Sequence, residues 1–145
     1  MTVALQDLGR AVKQLQYRHH RVMDRRLREV GTSLAQWDAL RAIAARPNSS
    51  AHALAEMTFQ SDQSFGALAN RLVKRGMIER VVGPGRAIRQ RLTSRGEATL
   101  RKGQEVISPV LEASFSPLTA RQREEFYRLI GRALAEGNPP QRLGL

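Results

Sequence analysis

Between Ser61 and Lys74 the chain places amide, hydroxyl and basic side chains at helical spacing. Gln63, Gly66, Ala67, Asn70 and Lys74 fall on one side of a helix, with Ser61, Ser64 and Arg71 beside them. Phe65, Leu68 and Leu72 fall on the other. A carboxamide carries a donor and an acceptor side by side, which matches the edge of adenine. Lysine and arginine neutralise phosphate, and small residues let a helix sit close to a flat partner. Taken alone, such a face is an ordinary solvated one, so its neighbours decide the reading.

Other chemistries are poorly served. There is no cysteine, so disulfides, thiolate catalysis, thiol-based sensing and cysteine-rich zinc sites are excluded. His19, His20 and His52 lack companion carboxylates at metal spacing. No Ser/His/Asp or paired-carboxylate arrangement is recognisable among the 13 acidic residues. No catalytic residue, metal or cofactor is expected.

Charge points to a polyanion. The formal net charge is +11 over 145 residues. Residues 71–102 hold ten basic side chains against two acidic ones, eight of those eleven net charges in one stretch. A localised positive stripe is the footprint of a nucleic-acid binder. No apolar run approaches the roughly 20 residues of a membrane span. The N-terminus lacks a basic-then-apolar leader pattern, so a cytoplasmic protein with no membrane partner is expected.

The elements that must position the polar face follow from periodicity. Residues 4–30 form a long helix with an apolar stripe from Leu5 to Leu27, interrupted by His19 and closed by Gly31. Ser33 and Gln36 have capping-box spacing at the start of a second helix, which Arg46-Pro47-Asn48 ends. A short helix over 50–57, a turn at 58–61 and a helix over 62–75 make a helix-turn-helix. Asp62 lies where it can cap the last of these. The period then changes: MIERVV (77–82) and AIRQRL (87–92) flank Gly83-Pro84-Gly85, which predicts a hairpin with largely arginine side chains outward. Ser94 and Glu97 have capping-box spacing for another helix, expected to break near Val106 and resume after Pro109. Thr119 and Gln122 repeat the spacing before a last helix with Phe126, Leu129, Ile130, Ala133 and Leu134 on one side. The fold class is therefore mainly α with a small β-hairpin wing.

The ordered set resembles the MarR family of bacterial regulators. The motif L-x-x-x-G-hydrophobic-hydrophobic-x-R is matched by Leu72, Gly76, Met77, Ile78 and Arg80, and L-T-x-x-G by Leu92, Thr93 and Gly96. SLAQWDALRAIAARP (33–47) is similar to the family's second helix. One departure is Pro84, which stands where the family's wing carries an aspartate two residues before Arg86. The Gly-Pro-Gly run is expected to set the tip by backbone shape instead.

The resemblance implies a winged helix-turn-helix flanked by N- and C-terminal dimerisation helices. Its domains would be 1–32 (dimerisation helix), 33–100 (DNA-binding region), 101–136 (dimerisation helices) and 137–145 (tail). It implies that the helix over 62–75 enters the major groove, with Ser61, Gln63, Ser64, Ala67, Asn70, Arg71 and Lys74 at double-stranded DNA, and Arg86 and Arg89 there from the wing. It implies a homodimer on a palindromic operator, a repressor role, and a small aromatic effector that Tyr17, His20, Met23 and Trp37 could line. The alternative carried by the same charge stripe is a sequence-nonspecific architectural DNA-binding protein. A protein-interaction module without a DNA role is a third.

Overall fold

The computed structural model describes residues 2–135, so the expected loose tail at 137–145 lies outside the described residues. The order is α1 (Leu5–Glu29), α2 (Leu34–Ala45), α3 (Ala51–Met57), α4 (Asp62–Lys74), β1 (Ile78–Val82), β2 (Ile88–Leu92), α5 (Ser94–Phe115) and α6 (Ala120–Ala135). β1 and β2 pair antiparallel from Ile78↔Leu92 to Val82↔Ile88, as the change of period predicted. A second edge contact holds β2: Asn48 N–H donates to the Gln90 carbonyl, and Gln90 N–H to that of Ser49, both at 3.2 Å.

Two apolar clusters hold α1 to α5 and the hairpin. The larger is the core of the helix-turn-helix, where Leu40, Ile43, Leu54, Phe65, Leu68 and Leu72 interlock with Met77 and Ile78 at the base of the hairpin. The smaller joins α1, α2 and α5 through Leu27, Leu34, Trp37 and Ile107, with Leu100 of α5 packed against both. Trp37 Nε1 donates to the Leu100 carbonyl at 3.1 Å. Gly103 faces this indole so closely that a methyl group there would overlap the ring.

Helix ends are where local rules met competition. Thr119 and Gln122 form the full reciprocal box. Ser33 caps α2 by accepting from Gln36 N–H, but the Gln36 carboxamide oxygen accepts from Arg75 at 2.7 Å instead of turning back. Ser61, not Asp62, caps α4, accepting from Ser64 N–H at 3.1 Å. Thr93, not Ser94, caps α5, because its hydroxyl accepts from Gly96 N–H while bonding the Gly76 carbonyl. Thr93 N–H also donates to the Met77 carbonyl, at 3.0 Å. A Cβ at Gly96 would collide with that same carbonyl. The L-T-x-x-G motif thus docks the start of α5 on the end of α4.

The expected break at Pro109 is absent: α5 runs unbroken from Ser94 to Phe115. Proline removes one helical hydrogen bond and crowds the preceding turn, at a cost of about 3 kcal/mol. Contacts on both sides outweigh it. Ile107 is buried against Leu27 and Trp37, and beyond the proline Ser114 bonds His19 while Phe115 packs edge-on to the same ring at 5.1 Å. His19 therefore serves the α1–α5 joint from its place on the apolar stripe. Burial, and then the neighbouring Arg18, hold its pKa below the usual value.

Candidate nucleic-acid interface

α4 buries Phe65, Leu68, Ala69 and Leu72, which leaves Gln63, Ser64, Ala67, Asn70, Arg71 and Lys74 exposed on one continuous face. Ser61 is half-buried at the cap, and its hydroxyl donates to Ser64 Oγ at 3.0 Å. The helix is aimed by its C-terminal end. The Arg75 guanidinium donates to Gln36 and to the Gly31 carbonyl, at 2.7 and 2.6 Å. That clamp ties the end of α4 to the α1–α2 corner. No local pattern marked Arg75 for it, since its partners lie 39 and 44 residues away.

Asn70 is tied as well. Its Oδ1 accepts from Arg80 Nη2, on β1, at 2.6 Å. Arg80 was visible in the sequence as a motif residue, but its partner appears only once β1 folds back along α4.

The hairpin has two unlike faces. Glu79, Val81, Arg89 and Arg91 share one, and Arg91 there pairs with Glu79 at 3.2 Å. The other carries Arg80, the buried Gln90, and an apolar pair at the tip, Val82 and Ile88, 71% and 53% exposed. The expected arginine surface is thus interrupted by an acid and by apolar residues, because the two-residue period also carries the core contacts of Ile78 and Leu92. The tip is closed by backbone, Gly83 N–H donating to the Ala87 carbonyl at 2.7 Å, with no acid required. The stem of Arg89 lies over Gly83. The Arg86 side chain lies outside what the structure describes.

His52 has more company than its sequence neighbours promised. Its Nδ1 meets Asp62 at 2.9 Å across the turn of the helix-turn-helix, and its Nε2 meets Glu56, one turn along α3, at 3.1 Å. The bond to Asp62, followed by the two acidic charges, raises its pKa. The carboxylates sit on opposite edges of the imidazole, so the three groups do not converge. Among the described residues no cluster of three His, Cys, Asp or Glu side chains is fit to hold a metal ion.

The four residues expected around an effector divide into two pairs. Tyr17 and His20 line an open groove of about 630 Å³ along α1, with Arg21 over the Tyr17 ring at 5.7 Å. Trp37 belongs to the buried α1–α2–α5 cluster, and Met23 packs against it.

A family model described as the MarR family matches residues 30–87, from the end of α1 to the wing tip. The chain carries a MarR-family winged helix-turn-helix. Solved structures extend the likeness to the flanking helices. A cysteine-to-serine mutant of MarR from E. coli, complexed with operator DNA, superposes with a TM-score of 0.81 at 21% identity, covering 88% of this chain and 94% of that one. A Mycobacterium tuberculosis MarR family protein in complex with p-aminosalicylic acid gives 0.73 at 23%, covering 87% and 97%. The PcaV transcriptional regulator from Streptomyces coelicolor gives 0.70 at 27%, covering 90% and 98%. A comparison with curated proteins finds no match. No helix among the described residues is long and apolar enough to cross a membrane.

Proposed function

We propose that this MarR-family chain is a sequence-specific transcriptional repressor that binds a palindromic operator as a homodimer. The observation that carries this reading is the exposed polar face of α4, held on a rigid core beside a basic hairpin. Gln63 and Asn70 read bases, Ala67 allows close approach, and Arg71, Lys74, Arg86 and Arg89 meet phosphates. Ser61 and Ser64 lie at the helix N-terminus, which favours phosphate.

The terminal helices support a twofold partner. Leu5, Leu8 and Val12 of α1 are 83%, 49% and 62% exposed. On α6 no described residue is buried, and Leu129, Ile130 and Leu134 are 49%, 43% and 69% exposed. Apolar faces of this extent call for a second chain. A twofold dimer of 1–32 and 101–136 would set two reading units of 33–100 about one helical turn of DNA apart. An aromatic acid is the effector class that fits Tyr17, His20 and the arginines of α1, and one Mycobacterium tuberculosis MarR family protein is solved with p-aminosalicylic acid and with salicylic acid.

Footprinting on the DNA upstream of the protein's own gene tests the reading. Protection of a palindrome is expected. Protection that ignores duplex sequence would favour an architectural DNA-binding protein, a reading to which the small pair Gly66 and Ala67 at the centre of the face gives some support.

A further inference from the structure

The hydrogen bond between Arg80 and Asn70 has a direction that chemistry fixes. A guanidinium has only donors, so the atom of Asn70 that faces Arg80 must be its oxygen. The Nδ2 amino group then occupies the remaining end of the carboxamide. Asn70 is exposed on the polar face of α4, two turns from Gln63, and Arg80 approaches it from β1 at 2.6 Å. The bond is charge-assisted, so it orients the amide more firmly than a neutral partner would. Arg80 is held in turn by its place in the strand: it pairs in register with the buried Gln90, whose backbone is fastened to the 48–49 segment.

The geometry points to Arg80 as a positioning residue for base recognition: it holds Asn70 with its amino group toward the DNA, so that Asn70 selects a base-edge acceptor. This rests on the reading of α4 as the base-reading helix. In the major groove the acceptors are guanine O6 and N7, adenine N7 and thymine O4. Guanine offers two adjacent ones and is the best match. A freely rotating asparagine would favour adenine, which needs the oxygen and the amino group together. Arg80 thus changes the expected partner of Asn70 from adenine to guanine, although it touches no base itself. An arginine at this place has an obvious competing role, which is to contact a phosphate directly.

The two roles separate in one experiment. Bound-sequence preferences are measured for the wild-type protein, Asn70→Ala, Arg80→Ala, Arg80→Lys and the Asn70→Ala/Arg80→Ala double variant, with affinity followed against salt. The expected result is a guanine preference of roughly tenfold at one position of each half-site. Asn70→Ala and Arg80→Ala should relax it at that same position, and the double variant should be no worse there than Asn70→Ala alone. Arg80→Lys keeps the charge but loses the planar fork, so it should retain most affinity and still lose the preference. A uniform loss across all sequences in Arg80→Ala, restored by lysine and accompanied by a smaller salt slope, would mean a phosphate contact and overturn the inference. A preference at the Asn70 position that survives Arg80→Ala would overturn it too. If the wild-type protein shows no sequence preference, the base-reading role of α4 falls, and this inference with it.

Discussion

His19 and His52 are set in opposite directions by their surroundings. His52 is raised by its bond to Asp62 and by the charge of Glu56. A histidine raised on folding adds stability that is full below its ordinary pKa and is lost as pH climbs through the folded value. His19 is lowered, first by burial and then by Arg18. Its contribution is present above the ordinary value near 6.5 and is lost as pH falls through the folded one. Urea unfolding at about pH 5.5 and about pH 8 should separate them. His52→Gln should cost more at the acid pH, and His19→Gln more at the alkaline pH. Equal losses at both pH values would contradict these environments. Side-chain partnerships of this kind were the least legible part of the sequence. The polar face of α4 could be read from spacing alone. The bonds of His52 to Asp62 and of Asn70 to Arg80 each span ten residues and a change of element, so no periodicity records them.

Elements were easier to read, because each obeys a local rule that its own residues satisfy. The helix-turn-helix and hairpin appeared where the apolar period shifted from helical to alternating, and the family motifs fell at their junctions. The rules failed where a distant group outbid a local one: Arg75 took the Gln36 carboxamide, and α5, packed on α1, stayed unbroken through Pro109. One such long-range fit can be tested at Gly103. Alanine is favoured over glycine inside a helix by about 1 kcal/mol. Here its methyl group would strike the Trp37 ring, and overpacking at about 1–3 kcal/mol should win, leaving a net loss of up to about 2 kcal/mol. An unchanged or higher urea midpoint for Gly103→Ala would contradict the tight α2–α5 joint. The turn of the helix-turn-helix carries the opposite opportunity. Phe59 is 80% exposed, yet its φ is +57°, a conformation that bulky side chains resist. Phe59→Asn should raise stability by roughly 0.5–1 kcal/mol, read as an increase in melting temperature. A decrease would show that the ring contributes more than its exposure implies.

For the whole molecule, the uneven distribution of apolar surface and charge points to assembly on DNA. Leu5, Leu8 and Val12 of α1 and Leu129, Ile130 and Leu134 of α6 leave apolar surface that the proposed dimer would cover, whereas the helix-turn-helix between them has a buried core of its own. Leu8→Glu combined with Ile130→Glu should therefore yield a monomer in sedimentation, with the fold of the reading unit intact and DNA affinity much reduced. A dimer that persists in this variant would place the interface elsewhere. The net charge of +11, concentrated beside α4, should make binding fall steeply with salt, with a log–log slope of roughly −0.9 for each phosphate neutralised. The proposed repressor reads sequence with this surface and does not merely attract phosphate. Selection of bound duplexes from a random pool distinguishes the two. The expected outcome is enrichment of one palindromic sequence whose half-sites lie about one helical turn apart. A bound pool as random as the starting one would contradict it.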